Sequence, residues 1–519
     1  MLSPAIHRYI FLFGIIGLAV GMMFGTVPTS IPQIILAANW LLEAGFIDKW
    51  NKIKTNKIFW LIISVFVMHA VGMIHTTDVG RGLDDLRTKA PLFILPVIFF
   101  TTKPLTKDEL NLLLKFFIWA VLLSTAWCLV YSYTHELQDI RKASRYMSHI
   151  RFGLYINFCI GVLAYIFTKL KNQLFRMLVL IGIFYLLFVM VNLSMITGLI
   201  IFGIVLMAWL VKYFMGVGKT AGITVTALLL ILIVMAGWWV KHEWSEFNFV
   251  DTSRGNQQKD LTQSGRKYYP ADSLNYHTEN GFYITRNIQY DELGLAWKKR
   301  SNLDLYGYNS EGILVAWNVI RYMSSKGLTK DSAGVAALSE TDIKNIEAGI
   351  NNYKLAEASP IRIRLNEFFW EYRDYDMGKN PSGNTLLMRL EFWKAAKYII
   401  ARNPWFGVGT GDAQRAFNKA YSRTSSKLVH EWRLRSHNQF LAITVSFGII
   451  GLLIFLISLT YPVIALKSKL HSLYYLFFAI ALISFITEDT LETQAGLSFF
   501  AFFNTLFLWL GSANESKEN

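Results

Sequence analysis

The sequence is poor in cysteine and in charge. Only two of its 519 residues are cysteines, Cys128 and Cys159, and both stand in apolar stretches. This excludes a disulfide framework and a cysteine-based zinc site. Charged residues make up 17% of the chain, against about 25% in a soluble globular protein. Because 53% of the residues are apolar and 15% are aromatic, the composition excludes a disordered or fibrous chain and predicts a polytopic membrane protein.

Apolar segments of suitable length recur along the chain. A bilayer core of about 30 Å needs roughly 20 apolar residues per helix. The candidate spans are residues 6–25, 30–46, 58–75, 89–101, 111–133, 152–168, 177–193, 195–213, 221–240, 438–464, 471–487 and 493–512. Segments 30–46 and 89–101 contain prolines and are candidates for broken or re-entrant helices, and Asn192 and Ser194 predict a tight hairpin within 177–213. The predicted fold is therefore all-α, with about 12 transmembrane helices.

A polar insert separates the ninth span from the tenth. The predicted domains are residues 1–240 with helices 1–9, residues 241–437 as an extracytoplasmic loop domain, and residues 438–519 with helices 10–12. Within the insert, helical spacing predicts helices over 313–326, 340–356 and 386–402, the second with Ser339 as its N-cap.

Lysine and arginine fall mainly on alternate loops, which places both termini in the cytoplasm and the insert outside. The outside hairpin 488–492 carries three acidic residues and no base. One outside segment, 134–151, departs from the rule because it carries Arg141, Lys142, Arg145 and Arg151. These bases are expected to have another purpose. The net charge is +15, but no nucleic-acid-binding motif accompanies it, so the bases point to anionic lipids or phosphate-bearing substrates.

A polar cluster stands at the outer mouth of the tenth span. Its members are Arg433, Arg435, Ser436, His437 and Asn438. A histidine in this position can accept a proton from a hydroxyl, and arginines beside it can hold an anion. On these residues alone, an interfacial helix cap with snorkelling arginines is an equally good interpretation.

Residues 384–413 form a second notable segment. An amphipathic helix carries Arg389 near its start, ends at Pro404, and is followed by the turn Gly-Val-Gly-Thr-Gly at 407–411. The alternative is a helix lying on the membrane surface. The turn lacks the Walker lysine and follows a helix instead of a strand, which argues against an NTPase.

Together these segments resemble the O-antigen ligase superfamily. The similar pattern is Arg-x-x-x-Trp, then Asn-Pro-x-x-Gly-x-Gly, then His-Asn-x-x-Leu leading into a glycine-containing span. Its residues here are Arg389, Trp393, Asn403, Pro404, Gly407, Gly409, His437, Asn438 and Leu441. About twelve spans, and a large outside loop before the His-Asn span, also resemble that family. The resemblance covers the membrane portion, whereas residues 241–380 show no family motif.

The resemblance implies an inverting, metal-independent glycosyltransferase without a cofactor, on the periplasmic side of the bacterial inner membrane. The donor would be a glycan on undecaprenyl pyrophosphate. Ligases transfer it to a sugar of lipid A–core, and polymerases transfer it to another lipid-linked repeat. By resemblance, His437 would activate the acceptor hydroxyl and Arg389 would bind the donor pyrophosphate.

The chain departs from the family at one segment. Many members carry Ser-Arg-Gly where this chain reads Ser-Met-Ile-Thr-Gly over residues 194–198, without an arginine. Arg151, Arg145 and Arg435 are the candidate substitutes for pyrophosphate binding.

Other interpretations remain at this stage. Asp374-x-Asp376 has the spacing of a metal-binding pair, and Asp84-Asp85 is more typical of a solvated helix start. A glycolipid transporter or flippase would also need a basic cavity, although the two halves of the chain show no repeat. A membrane receptor or scaffold is the third possibility.

Overall fold

The computed structural model describes residues 2–135, 140–252, 256–271, 277–309 and 312–515. The chain divides into two compact units, residues 1–219 together with 382–519, and residues 220–381. Residues 136–139, within the loop 134–151, lie outside the described residues.

Helices dominate both units. The first ten helices are α1 (Pro4–Gly21), α2 (Thr26–Leu42), α3 (Phe46–Ile53), α4 (Lys57–Val71), α5 (Val79–Lys89), α6 (Pro91–Thr101), α7 (Lys107–Thr134), α8 (His149–Lys169), α9 (Gln173–Asn192) and α10 (Ile196–Val217). They are followed by α11 (Lys219–Asn248), β1 (Thr278–Glu279), β2 (Phe282–Tyr283), α12 (Tyr290–Lys298), α13 (Val315–Ser325), α14 (Ser332–Ala336), α15 (Glu340–Glu347) and α16 (Pro360–Asp376). The last helices are α17 (Thr385–Arg402), α18 (Ala413–Arg423), α19 (Gln439–Ala465), α20 (Ser472–Thr487) and α21 (Gln494–Glu515).

The chain is an all-α polytopic membrane protein, as the composition predicts. Each of the twelve apolar segments overlaps a helix. Among the described residues, eight helices are long and apolar enough to cross a membrane: α1, α7, α8, α9, α10, α11, α19 and α21. Helices α2 and α3 pass the same test together but meet at a bend of 111°, which confirms the irregularity predicted for 30–46. Helices α4 and α20 are apolar but shorter.

The tight hairpin predicted between α9 and α10 is confirmed. Ser194 has a φ of +51°, and Met195 N–H donates to the Met190 carbonyl at 2.9 Å. These features reverse the chain within three residues.

Helix α21 lies in the centre of the first unit. Most of its apolar residues are buried, because its phenylalanines pack against neighbouring helices. Phe503 lies 4.5 Å from Phe158 of α8 and 6.0 Å from Phe477 of α20, centroid to centroid. The acidic hairpin between α20 and α21 therefore lies at the start of a helix that is mostly buried.

Helix α19 is broken at Gly448, whose φ is +67°. The Gly-rich turn after α17 fills the break. Val408 N–H donates to the Val445 carbonyl at 3.0 Å, and Ile449 N–H donates to the Pro404 carbonyl at 2.7 Å. The turn thus satisfies backbone groups that the kink frees inside an apolar helix, which is required at membrane depth.

The second unit has its own core. The side chains at its centre include Trp297, Val319, Met323 and Ile346. The predicted helices 313–326 and 340–356 correspond to α13 and α15. The Ser339 cap is confirmed and forms a capping box with Asp342. Helix α15 ends earlier than predicted, before Gly349, whose φ of +85° cannot continue a helix.

The predicted helix 386–402 is confirmed as α17. It lies in the first unit, as do residues 382–437 as a whole. The assignment of 241–437 to the outside of the membrane stays a prediction.

Candidate functional site

Three carboxylates lie in the short hairpin between α20 and α21. Glu488 and Asp489 are buried, and the side chain of Glu492 is only 13% exposed. Buried carboxylates are costly unless cations or hydrogen-bond donors surround them. The partners of this hairpin therefore define a candidate site.

Glu488 contacts three cationic or titratable side chains from distant parts of the chain. Its Oε1 accepts from Arg389 Nη2 of α17 at 2.8 Å. Its Oε2 lies 3.1 Å from His437 Nδ1 and 3.4 Å from Arg151 Nη2 of α8. Arg151 Nη2 also contacts Asp489 Oδ1 at 3.3 Å. These five residues are called the Glu488 cluster below.

The two family-like motifs position His437 and Arg389 against each other. Trp393 Nε1 of α17 donates to the Ser436 carbonyl at 3.1 Å, directly before His437. The Phe392 ring stacks on the His437 ring with centroids 5.4 Å apart. His437 itself has a φ of +45°, an uncommon conformation for a residue with a side chain, of the kind found at functional sites.

Asn438 begins α19 and anchors it. Its Oδ1 accepts from Leu441 N–H at 2.9 Å, and its Nδ2 donates to the Ile486 carbonyl at 2.9 Å. The capping interpretation of the His-Asn segment is therefore correct for Asn438. Helix capping does not require a contact between His437 and Glu488. The capping interpretation therefore does not explain that contact.

Arg151 lies at the start of α8, beside the segment in which the family arginine is absent. Gly153 and Gly198 pack so closely that a Cβ on Gly198 would lie 3.3 Å from the Gly153 Cα. Asn157 Nδ2 secures the same contact by donating to the Gly198 carbonyl at 2.9 Å. The buried Nε of Arg151 has no hydrogen-bond partner among the described residues.

A neighbouring group, the Glu492 cluster, contains Glu492, Lys89, Asp85, Arg435 and Gln439. Lys89 Nζ lies 2.9 Å from Glu492 Oε2 and 3.0 Å from Asp85 Oδ1, and its side chain is fully buried. Arg435 Nη1 contacts Glu492 Oε2 at 3.2 Å, and Gln439 Nε2 contacts Glu492 Oε1 at 3.2 Å. The structure thus places Arg435 in this cluster and not on Glu488.

Arg145, the remaining predicted substitute, contacts a different residue. Its guanidinium lies 5.7 Å above the ring of Tyr131 in α7. Of the predicted site residues, the structure therefore brings together Arg389, Arg151 and His437, with Arg435 in the adjoining cluster.

The three carboxyl groups differ in their pKa. Burial raises the pKa of Glu488, but the hydrogen bond from His437 and the charges of Arg151 and Arg389 outweigh it and lower the pKa overall. Burial likewise opposes ionisation of Glu492, yet Lys89 and Arg435 lower its pKa to about 2. Burial dominates at Asp489 and raises its pKa, with a further contribution from the charge of Glu492. Asp489 is therefore the carboxyl that takes up a proton most readily.

A cavity of about 530 Å³ opens between the two clusters. Its lining includes His437, Arg151 and Asp489 of the Glu488 cluster and Arg435 and Glu492 of the Glu492 cluster. Its volume is within the range of about 300–1,000 Å³ that is typical of small-molecule sites.

Among the described residues, the potential ligand atoms of His437, Glu488 and Asp489 lie within 4.8 Å of one another, close enough to hold a metal ion. However, Arg389 and Arg151 already bind the two carboxylates. A divalent cation would lie beside two guanidinium groups, which disfavour it by charge repulsion. The residues therefore fit an arginine-bound arrangement better than a metal centre.

The other metal candidates also bind cations of the protein. Asp85 pairs with Lys89, and Asp374 Oδ1 lies 2.7 Å from Lys379 Nζ. Carboxylate oxygens that could bind a metal ion are thus partly engaged by lysines.

Sequence reasoning noticed Glu488, Asp489 and Glu492 only as an acidic outside hairpin. The available signal was a set of three carboxylates, without any base, between two apolar spans. Such groups need partners from elsewhere in the fold, and the unexplained outside arginines were the available ones.

Residues 321–456 match the family model described as O-Antigen ligase. The matched segment contains Arg389, Arg435 and His437 and ends before the acidic hairpin. No curated protein matches the sequence. The match is consistent with the O-antigen ligase superfamily, as the motifs predict, and it supports a glycosyltransferase-like membrane enzyme of the ligase/polymerase type.

Proposed function

We propose that this chain is a membrane glycosyltransferase of the O-antigen ligase type. It moves a glycan from undecaprenyl pyrophosphate to a sugar hydroxyl of lipid A–core, without a metal, at the periplasmic face of the bacterial inner membrane. The observation that carries the proposal is the meeting of Arg389, Arg151 and His437 at Glu488, beside a cavity.

His437 is suited to accept a proton. In the tautomer that donates Nδ1–H to Glu488, Nε2 is left as a base for the acceptor hydroxyl. A carboxylate that holds a histidine in this way orients the ring and stabilises the imidazolium that forms. The stacked Phe392 ring restricts the imidazole further.

The reaction is a displacement at the anomeric carbon. The acceptor oxygen forms a bond to that carbon from the face opposite the pyrophosphate, and the carbon–oxygen bond to the pyrophosphate breaks. The hydroxyl proton goes to His437, and the electron pair leaves with undecaprenyl pyrophosphate. Attack from the opposite face inverts the anomeric configuration.

Arg389 and Arg151 stabilise the leaving group. Each uses Nη2 on a carboxylate, so that other N–H groups of each fork remain for pyrophosphate oxygens. Positioned charge-assisted donors of this kind are strongest where water is partly excluded.

The test uses purified full-length protein with a lipid-linked donor and a lipid A–core acceptor. His437→Ala is expected to lower kcat by at least about 100-fold, the usual contribution of a positioned base. Arg389→Ala is expected to raise the KM for the donor and also to lower kcat, because Arg389 both binds the pyrophosphate and stabilises it as it leaves. Arg389→Lys is expected to restore activity only in part, because lysine lacks the bidentate fork. Lys397→Ala is the matched control, since Lys397 is an exposed base on the same helix.

Three results would contradict the proposal. The first is undiminished transfer by His437→Ala. The second is activity that is lost on addition of a chelator and restored by Mg²⁺ or Mn²⁺, which would overturn the role of the arginines. The third is transfer to a second lipid-linked repeat but not to lipid A–core, which would identify the protein as the polymerase.

A further inference from the structure

A second cavity, of about 790 Å³, lies between the end of α17, the Gly-rich turn and α18. Four of its lining residues are cationic: Arg402, Arg415, Lys419 and Arg423. This cavity is called the basic groove below. It belongs to the same unit as the Glu488 cluster but shares no lining residue with the cavity there.

The basic groove has an excess of positive charge. Arg415, Lys419 and Arg423 are spaced four residues apart, so they share one face of α18. Asp412 is the only carboxylate among the lining residues. The groove therefore keeps three uncompensated positive charges.

The carboxylate of Asp412 is largely used within the protein. It accepts from Thr77 N–H at 2.8 Å, from the Thr77 hydroxyl at 2.8 Å and from Asp78 N–H at 3.1 Å. Its remaining contact is Arg415 Nη2 at 3.2 Å. Asp412 thus ties α18 to the connection between α4 and α5 and does little to neutralise Lys419 and Arg423.

The end of the Gly-rich turn, next to the groove, is hydrogen-bonded to α4 and to the connection that follows it. Thr410 Oγ1 donates to the His69 carbonyl at 2.6 Å, and Gly411 N–H donates to Thr76 Oγ1 at 3.2 Å. At the rim, the Arg402 guanidinium lies 3.7 Å above the Tyr398 ring. This contact orders the Arg402 guanidinium, whereas Lys419 and Arg423 are exposed and accessible to an anion.

Exposed aromatic side chains adjoin the charges. Trp405 and Phe406 lie in the turn between Arg402 and Gly407 and are 61% and 67% exposed. Tryptophan is enriched at membrane–water interfaces, and clustered bases at that level attract anionic headgroups. The combination favours a lipid over a freely soluble anion.

We propose that the basic groove binds the phosphate headgroup of an anionic membrane lipid. The phosphate is held by Lys419, Arg423 and Arg402, and the acyl chains lie toward Trp405 and Phe406. Successive residues of α18 face different cavities, since Gln414 lines the cavity at the Glu488 cluster and Arg415 lines the groove. The bound lipid accordingly lies beside the candidate transfer site. The inference does not depend on the proposed reaction.

The experiment measures lipid binding to full-length protein in neutral detergent by native mass spectrometry. The probes are phosphatidylglycerol, phosphatidylcholine and inorganic phosphate. We expect phosphatidylglycerol to bind at least about ten-fold more tightly than phosphatidylcholine. Lys419→Gln with Arg423→Gln is expected to remove at least about ten-fold of that affinity, given the attraction of each base to an anionic headgroup. This double variant leaves the Asp412–Arg415 contact in place.

The matched control is Lys394→Gln with Lys397→Gln, which removes two exposed charges from α17 outside the groove. It should bind phosphatidylglycerol as the unchanged protein does, with a similar Tm in the absence of lipid. An equal loss of phosphatidylglycerol affinity in both double variants would show general attraction to surface charge and would contradict a specific lipid site in the basic groove. Displacement of the lipid by equimolar inorganic phosphate would overturn the lipid as ligand, and so would equal binding of the two lipids. Loss of glycan transfer with lipid binding retained would bear on the proposed function alone.

Discussion

Glu488 contacts three of the residues on which the proposed chemistry depends, and none of them is near it in sequence. Its two carboxylate oxygens separate Arg389 from His437 and Arg151. Contacts at this scale give the two motifs a physical reason. Trp393 holds the backbone before His437, and Asn438 caps the helix after it. In the proposed reaction these two would be positioning residues, whereas His437 and Arg389 would touch the substrate.

Glu492 provides a residue-scale prediction about stability. Glu492→Gln leaves the fully buried Lys89 with Asp85 as its remaining carboxylate. Breaking a buried ion pair by removing one partner typically costs about 3–5 kcal/mol, so the Tm of the purified protein in detergent should fall markedly at pH 7. Glu431→Gln, at an exposed position, should leave the Tm unchanged.

The effect of Glu492→Gln should depend on pH in one direction. The folded protein lowers the pKa of Glu492 to about 2, from an ordinary value of 4.5. The stabilisation is therefore complete above the ordinary pKa and is lost as the pH falls from there toward the folded value. The Tm difference between the variant and the unchanged protein should be constant from pH 8 to about 6 and shrink below the ordinary pKa. A difference that grows on acidification would contradict this assignment.

At the scale of elements, the Gly-rich turn and the kinked helix α19 form one structure. Gly448 has a φ of +67° and a ψ of −165°, a region that only glycine adopts readily. A Cβ at this position would lie 2.2 Å from the carbonyl carbon of Trp405. The motif Asn-Pro-x-x-Gly-x-Gly thus packs into the break of a membrane helix, and His437 lies just before the N-terminus of that helix.

Gly448→Ala tests whether the kink in α19 is required for stability. The strained backbone costs about 1–3 kcal/mol, and the clash with Trp405 adds to it, so the variant should unfold at a clearly lower temperature than the unchanged protein. Gly203→Ala is the control, because that helical glycine has nothing within 4 Å of the added Cβ. Equal stability of the two variants would show that the kink is not required.

At the scale of the whole molecule, the distribution of charge predicts one orientation in the membrane. The distribution of bases predicts that residues 241–437 lie outside and that the loop between α19 and α20 lies in the cytoplasm. The proposed transferase acts at the periplasmic face, so it requires the Glu488 cluster on the outer side.

Single cysteines at exposed positions can determine this orientation. Lys299→Cys should react with a membrane-impermeant maleimide in intact spheroplasts, whereas Lys467→Cys should react only after permeabilisation. Both positions are exposed, and the native Cys128 and Cys159 are buried. Labelling of Lys467→Cys in intact spheroplasts would reverse the orientation and exclude a periplasmic reaction.

The sequence by itself determined the class of protein and most of its elements. Apolar length sets where a chain can cross a bilayer, and local capping patterns such as Ser339 with Asp342 set helix starts. For the same reason the motif residues Arg389 and His437 could be recognised within a local window. The kink at Gly448 could not, because its cause is a turn some forty residues earlier in the chain.

Only the tertiary structure decided how the site is assembled. The site residues come from four elements: Arg151 from α8, Arg389 from α17, His437 from just before α19 and Glu488 from the end of α20. No local sequence pattern indicates which of several arginines contacts which carboxylate. Burial settles that choice, because a carboxylate enclosed by packed helices is stable only with cations that the fold brings to it. Arg145 has the same chemistry as Arg151 but lies against Tyr131, a difference of packing and not of residue type.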